Sequence, residues 1–505
     1  MREILVSAIA AIYFLAAGGL LVYALNCYIM IALFTRRRRE ALKKQRATLE
    51  TLGDILSRQD LPTVTTQIPV YNEYNVVERV MAAAAAMRYP AGKHEIQVLD
   101  DSTDETREII DAAAARLCAQ GVDIRVVRRS DRFGFKAGAL ANGLEQARGE
   151  LIAIFDADFV PPPDYLLRTV PFFMTERRLG LVQARWGHLN RNYSLLTKVQ
   201  SIGIDGHFMV EQAARTWNGL FMNFNGTAGI WRKEAILSGG GWECDTLTED
   251  MDLSYRVQLA GWQTEFLSDL VVPAELPEDI GAFKSQQFRW AKGSIQTARK
   301  LLWRILRSDA SPFKKMQAFL HLTHYMVHPL MVTVAVLALP VLWTVRAGIG
   351  SAVFGTLLPV LILSMIAPNA LYICGQRAAY RDWLRRILLL PALTLVGVGV
   401  AISNTRAVVE ALIGRQSGFV RTPKRGERAA KRYRVVFSWV VLVELLLGAY
   451  CACSLDYYLM ARKYYIGPFL AIYAAGFLFV GMLTLAHSFG LGPDSPLKTP
   501  RAGSR

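Results

Sequence analysis

Apolar side chains fill almost every position from 4 to 34, with no polar stripe at helical spacing. A bilayer span needs about 20 such residues, so this stretch is long enough to cross. A secretory signal peptide would have a charged start and an apolar core of roughly 7–15 residues. Here the core is longer and the charge, Arg36–Arg39, follows it. The pattern therefore predicts a membrane helix with its N-terminus outside and its basic end in the cytoplasm. From 46 to 300 the pattern changes. Short β-rich runs ("TVTTQIPVYNE", "EIQVLDDSTDE", "DIRVVRRS", "ELIAIFDADF", "GLVQARW") alternate with helix-like stretches such as "NVVERVMAAAAAMRY". Strand–helix alternation predicts a parallel α/β sheet. Its carboxyl edge, where acidic residues follow several strands, is the usual ligand site.

Beyond 300 the chain is apolar again. Residues 322–344, 352–374, 436–456 and 465–488 read as spans. Residues 387–404 lie between two basic stretches and cannot cross once if both are cytoplasmic. They are expected to be re-entrant or interfacial. Segments 295–307 and 406–416 are amphipathic and suit the inner leaflet surface. His321, His324 and His328 fall on one face of a helix at spacings of three and four, and read as polar channel lining rather than a metal site. The expected organisation is a membrane helix with basic flank (1–45), an α/β domain (46–300), interface helices and membrane region (301–490) and a polar tail (491–505).

Composition agrees with this division. The chain has 505 residues, 52% of them hydrophobic, and a net charge of +16. Its basic runs, Thr35–Glu40 and Arg421–Arg434, abut apolar segments, which suits cytoplasmic flanks of spans. They form no aromatic-studded groove, so nucleic-acid binding is not expected. Six cysteines without a C-x-x-C pair make neither a disulfide framework nor a zinc pattern.

Candidate chemistry gathers at strand ends. In "IFDADF", Asp156 and Asp158 could both reach one hard cation, Mg2+ or Mn2+. A surface turn is the bland alternative. In "QVLDDSTD", Asp100 or Asp101 could accept hydrogen bonds from a nucleoside, while Ser102 or Asp104 caps a helix. In "TLTEDMDLSYR", Thr248 could cap a helix whose first turn holds Glu249 and Asp250. The helix dipole favours carboxylates there, and Asp250 could serve as a general base. In "SQQFRWAKGS", the Arg289 guanidinium suits a diphosphate. Trp290 could stack on a sugar face or anchor the chain at the membrane border.

Taken in order, D-D, D-x-D, T-E-D and Q-x-x-R-W resemble the signature of processive family-2 glycosyltransferases: cellulose, hyaluronan, chitin and mannan synthases. The blocks "QIPVYNE", "QVLDDSTD", "FKAGAL", "AIFDADF", "LVQARW", "FNGTAGIWR" and "GGW" look like the cellulose-synthase-like mannan and glucan synthases, across about residues 60–300. "GFVRTPK" (Gly418–Lys424) resembles the gating loop of bacterial cellulose synthase, with Phe419, Thr422 and Lys424 matching and Arg421 replacing a valine. The resemblance implies a GT-A fold, a Rossmann-like cytosolic domain joined to an α-helical transmembrane channel. It implies inverting transfer from a nucleotide sugar, GDP-mannose or UDP-glucose, to a polysaccharide. Tyr71 and Glu73 would line the base pocket, with Asp100 or Asp101 on the nucleoside. Lys136 would approach the diphosphate beside Glu249. Asp156 and Asp158 would hold the metal, and Asp250 would be the base. Gln286 and Arg289 would hold the diphosphate, and Trp290 would stack on the acceptor. The catalytic domain would be cytoplasmic, at the inner membrane.

Two other classes stay open at this point. One is a non-processive synthase that glycosylates a membrane lipid. The other is a transporter or receptor with a nucleotide-sensing domain, whose expected mark is a broken catalytic set; here every carboxylate is present. The sugar, the linkage and the oligomeric state are not legible in the sequence.

Overall fold

The structure, a computed structural model, describes residues 2–51, 61–346, 351–415, 439–462 and 466–489. Helix α1 (Arg2–Glu50) leads into a layered α/β region. Its elements are β1 (Val64–Val70), α2 (Val77–Ala85), β2 (His94–Asp100), α3 (Thr106–Ala119), β3 (Ile124–Arg128), α4 (Phe135–Gln146), β4 (Leu151–Ile154), α5 (Tyr165–Thr175) and β5 (Leu179–His188). Then come α6 (Leu195–Gly206), a π-helical turn (His207–Gln212), α7 (Ala213–Trp217), β6 (Gly229–Arg232), α8 (Lys233–Ser238), α9 (Glu249–Leu259) and β7 (Gln263–Ala274). Helix α10 (Ile280–Arg307), which carries Q-x-x-R-W, and α11 (Pro312–Leu322) lead to the apolar helices. These are α12 (Val327–Arg346), α13 (Ser351–Ala379), short α14 (Trp383–Ile387), α15 (Leu390–Gly399), α16 (Ala401–Leu412), α17 (Trp439–Met460) and α18 (Gly467–Ser488).

The seven strands pair in the order β3-β2-β1-β4-β6-β5-β7. Only β6 runs against its neighbours; the other described pairings are parallel. All other strands therefore end at one edge. The β1–β2 register is fixed by buried polar rungs. Thr65 donates to Glu95 at 2.5 Å and Gln67 to Gln97 at 2.9 Å, and each pair sits directly opposite in the ladder. Slipping by one residue would bury all four without partners, so the rungs specify alignment as well as adding attraction. Apolar side chains of the flanking helices, such as Val80 and Ile110, cover one face of the sheet. Leu140, Phe208 and Leu253 cover the other.

Five described helices are long and apolar enough to cross a membrane, and the chain is a membrane protein. The expected first span is part of a longer helix, since α1 continues unbroken to Glu50. The awkward 387–404 stretch falls in α14–α16, where α15 and α16 bend by 44° at Val400; this is a broken span or a re-entrant loop. The amphipathic 295–307 segment is the second half of α10 rather than a separate helix. The three histidines do not share one helix. Helix α11 stops at Leu322, and a single 3-10 turn, His324–Met326, intervenes before α12. His321 instead bonds Tyr255 at 2.7 Å, and His328 bonds Asn404 at 2.9 Å.

Two ion pairs join α10 to the membrane helices. Lys284 Nζ meets Glu444 Oε1 of α17 at 2.6 Å, and Lys292 Nζ meets Glu410 Oε2 of α16 at 2.9 Å. Glu444, Lys292 and Glu410 are buried. Removing one partner of a buried pair strands the other charge, at a cost of about 3–5 kcal/mol, whereas removing both is far milder. Lys284→Met is therefore expected to lower the thermal midpoint in detergent. Lys284→Met combined with Glu444→Leu should recover most of that loss, and an additive double-variant loss would show the pair to be unimportant.

Candidate active site

The carboxyl edge of the sheet opens into a cavity that α9 and α10 close from the side. Its walls include eleven of the candidate site residues: Tyr71, Glu73, Asp101, Lys136, Asp156, Asp158, Glu249, Asp250, Gln286, Arg289 and Trp290. Residues from six separate segments, spread over more than two hundred positions, meet in one space.

At the β1–β2 end, the Arg132 guanidinium lies 3.3 Å from the centre of the Tyr71 ring. Arg129 grips Asp101 with two nitrogens, Nε to Oδ1 at 2.9 Å and Nη2 to Oδ2 at 2.5 Å. Asp100 is turned away from the cavity. It is buried against Arg128, at 2.8 Å, and accepts from the Ser102 backbone at 2.9 Å. Consecutive residues of an extended chain point to opposite sides, so only one of this pair could reach the cavity. Asp100 is withdrawn as a ligand contact. Asp104, not Ser102, serves the start of α3, accepting from Thr106 at 3.0 Å, while Ser102 ties down Asn72.

At the centre, Lys136 reaches from the first turn of α4. Its ammonium donates to Asp156 Oδ1 at 2.5 Å and to the Gly226 carbonyl at 2.8 Å. Gly226 is held at φ +80°, a backbone conformation that favours glycine. A Cβ there would also lie 2.9 Å from Asp250 Oδ2 and 3.3 Å from Lys136 Nζ. Asp250 Oδ1 accepts from the Met251 backbone at 2.7 Å, so its second oxygen is the one beside Gly226.

The carboxylates crowd one another. Burial, followed by the charge of Glu249, pushes Asp250 up to about 8, against the pull of Lys136. Burial also raises Glu249, with Lys136 and Arg289 opposing. Burial works against the Lys136 ammonium, but Asp156 and Glu249 hold its pKa above the usual lysine range. Burial lowers Arg289 to about 10, again opposed by Glu249 and Asp156. Asp156, Asp158, Glu249 and Asp250 face Lys136 and Arg289, a local excess of negative charge built from oxygen donors. That donor set fits a hard divalent cation. Two further buried atoms on the cavity wall, Gln286 Oε1 and Trp186 Nε1, have no hydrogen-bond partner among the described residues. Such atoms are costly to leave unpaired, which fits a polar ligand. Among the described residues, the one group of three acidic residues close enough to share an ion is elsewhere: Glu243, Asp245 and Asp252, where the Lys300 ammonium already sits.

Helices α9 and α10 fit through a small-residue contact. Thr248 precedes α9, but its side chain does not cap it; it lies 3.3 Å from Thr297 Oγ1 of α10. Gly293 of α10 packs on the same threonine, where a Cβ would lie 2.5 Å from Thr248 Cγ2. This contact places the arginine of Q-x-x-R-W against the acids of T-E-D.

The sequence reading missed several cavity residues. Trp186 lies 6.5 Å, centre to centre, from Trp290. His188 and Asn225 also line the cavity. Asn225 Oδ1 accepts from Gln212 at 2.6 Å, and its amide nitrogen meets His207, which pairs with Glu211 at 2.9 Å. Trp186 and Asn225 stood inside recognised blocks, "LVQARW" and "FNGTAGIWR", without an assigned role. His188 lay just past the expected strand. Phe419, Thr422 and Lys424 of the gating-like loop lie outside the described residues.

A cavity of this kind, at the carboxyl edge of a mixed α/β sheet joined to apolar helices, defines a membrane-attached α/β protein with an acidic, oxygen-rich site. A family model described as glycosyltransferase like family 2 matches residues 62–293. The chain is 36% identical over 451 residues to glucomannan 4-beta-mannosyltransferase 7 of Arabidopsis thaliana, covering 85% of this chain and 78% of that one. It is 34% identical over 448 residues to probable glucomannan 4-beta-mannosyltransferase 2 of Oryza sativa subsp. japonica, covering 84% and 75%. Probable glucomannan 4-beta-mannosyltransferase 7 of the same rice is 46% identical over 263 residues, covering 51% of this chain and 45% of that one. The chain spans about half the length of several of the curated relatives it matches. It belongs to glycosyltransferase family 2, and its sheet and cavity have the GT-A form.

The Gly293 contact is testable apart from activity. Gly293→Ala should destabilise by about 1–3 kcal/mol through overpacking. Adding Thr248→Ala, which removes the crowding Cγ2 and Oγ1 atoms, should restore part of the thermal midpoint. No recovery would mean that the strain lies elsewhere.

Proposed function

We propose that this protein is an inverting hexosyltransferase that extends a β-1,4-mannan or glucomannan chain from a nucleotide sugar, GDP-mannose or UDP-glucose. The observation that carries the reading is the meeting of Asp250, Lys136, Asp156 and Arg289 in one cavity, in a chain similar to glucomannan mannosyltransferases along most of its length. Tyr71 and Asp101 receive the nucleoside at the β1–β2 end. Arg289, Lys136 and Gln286 hold the diphosphate. Asp156 and Asp158 would hold Mg2+ or Mn2+, which would supply charge stabilisation to the leaving diphosphate. Trp290 stacks on the acceptor sugar.

The reaction is one displacement. An acceptor hydroxyl attacks the anomeric carbon, and the bond to the diphosphate breaks. Asp250 Oδ2 accepts the hydroxyl proton. Negative charge grows on the departing phosphate oxygen, where Arg289 and Lys136 stabilise it. No second carboxylate is needed as a nucleophile, in contrast to a retaining glycosidase. The apolar helices fit a path outward for a polymer too polar to cross lipid. The basic run that follows the first apolar segment supports a cytoplasmic side for the α/β domain.

Purified protein in detergent, offered a panel of nucleotide sugars, is expected to release GDP or UDP and to form an alkali-resistant, β-1,4-linked glycan. A chloroform-soluble product would move the assignment to a glycolipid synthase. Absence of nucleotide release would favour a transporter or receptor. Asp250→Asn should lower transfer about 10²–10⁴-fold, the range for losing a general base, with donor affinity retained. Loss of donor binding in that variant would remove Asp250 from the base role.

The pH dependence follows from the sign of the shift. A base must be ionised to accept a proton, and Asp250 holds its proton until about pH 8 in the ligand-free site. The free-enzyme kcat/KM should therefore rise with pH and level off near that value, falling roughly tenfold per unit on the acid side. A profile flat down to the ordinary carboxylate range would contradict the burial of Asp250 beside Glu249.

A further inference from the structure

His188 stands two residues beyond Trp186, on the same face of β5, and the chemistry above makes no use of it. Its ring lines the cavity with 4% of the side chain exposed. Nε2 lies 3.0 Å from Asp205 Oδ1. A carboxylate oxygen only accepts, so Nε2 carries the hydrogen, and in the neutral ring Nδ1 is left as an acceptor. Nδ1 has no protein partner among the described residues.

Asp205 is itself held from the membrane side. Gln376 donates to Oδ2 at 2.9 Å, and the Tyr380 hydroxyl donates to Oδ1 at 3.0 Å. Gln376 lies in the last turn of α13 and is fully buried. The reach depends on a close crossing of α6 and α13. A Cβ on Gly375 would lie 3.3 Å from Gly206 Cα and 3.4 Å from the Asp205 carbonyl oxygen. Burial works against the charge of Asp205, but His188 and Gln376 hold its carboxyl below the usual range. A buried, triply hydrogen-bonded carboxylate behind a cavity-wall imidazole is the arrangement that fixes a histidine in one tautomer and one orientation.

Place in the sheet selects the ligand. β5 is three strands from β1, so His188 lies at the end of the cavity away from Tyr71 and Asp101. The negative charge behind the ring disfavours a diphosphate there. The neighbouring Trp186 and Trp290 offer faces to a sugar ring. We propose that His188 is a specificity-determining contact to the acceptor sugar, taking a hydroxyl hydrogen at Nδ1, and that Asp205, tethered to α13, is the positioning residue that fixes the ring. The proposal rests on the transferase reading above and adds a membrane-helix anchor to its acceptor end.

The test separates transfer to a sugar from transfer to water. Full-length protein in lipid nanodiscs is given GDP-mannose or UDP-glucose with a manno-oligosaccharide acceptor. Nucleoside diphosphate release and incorporation of sugar into glycan are measured together. A glutamine amide can overlay Nε2, so His188→Gln keeps the Asp205 bond and removes the cavity acceptor. An asparagine amide overlays Nδ1, so His188→Asn does the reverse. His188→Gln should cut elongation about tenfold, the worth of one hydrogen bond, while donor hydrolysis and the thermal midpoint stay as in the wild type. His188→Asn should recover part of the elongation. Asp205→Asn should raise the acceptor KM more than it lowers kcat. An unchanged ratio of elongation to hydrolysis in His188→Gln overturns the proposal. So does an equal loss of both in the two His188 variants with a lowered midpoint, which would make the ring a strut. Wild-type protein that releases no nucleoside diphosphate from either donor would overturn the transferase reading instead.

Discussion

One ammonium organises the site. Lys136 bridges Asp156 of the D-x-D turn and the carbonyl of Gly226, and Gly226 in turn touches Asp250. Without that positive charge, Asp156, Glu249 and Asp250 would face one another in a partly buried space, which like charges do not tolerate without partners. With it, three segments far apart in sequence can bring their carboxylates together. The balance is left negative, and that deficit of cation, built from oxygen donors, suits a divalent ion.

The second constraint is the seating of α10. The helix packs on the T-E-D turn through Gly293, and it is tied to α17 and α16 by Lys284 and Lys292. The residues between these anchors, Gln286, Arg289 and Trp290, line the cavity. One rigid helix therefore belongs both to the α/β region and to the apolar helices. The Asp205 contact with Gln376 and Tyr380 is a second such tie. Chemistry at the sheet edge and the position of membrane helices are thus linked by buried polar contacts, which have few alternative geometries.

Much of this was legible in the sequence because it is local. Five β-rich runs became five strands, and acids that followed them reached the shared edge. What failed was information carried between segments. Asp100 and Asp101 look equivalent as neighbours, but the salt bridge from Arg128 takes the first and the paired contacts of Arg129 keep the second at the cavity. Thr248 looks like a cap, but the approach of Gly293 gives its hydroxyl a partner on another helix. The histidines of 321–328 fit one helical face until Thr323 interrupts the helix. β6 and β7 were not foreseen, and β6 runs antiparallel, so strand–helix alternation gave no sign of its direction. His188 was missed because the strand extends past its β-rich run.

The proposed reaction uses a single carboxylate, Asp250, for one displacement, with the other acids holding cations rather than attacking sugar. The stereochemistry of the first bond formed tests that most directly. Proton NMR of the anomeric centre in newly made product, from an α-linked nucleotide sugar, should show only the β configuration. An α-linked first product would require a covalent or otherwise double displacement and would contradict the account.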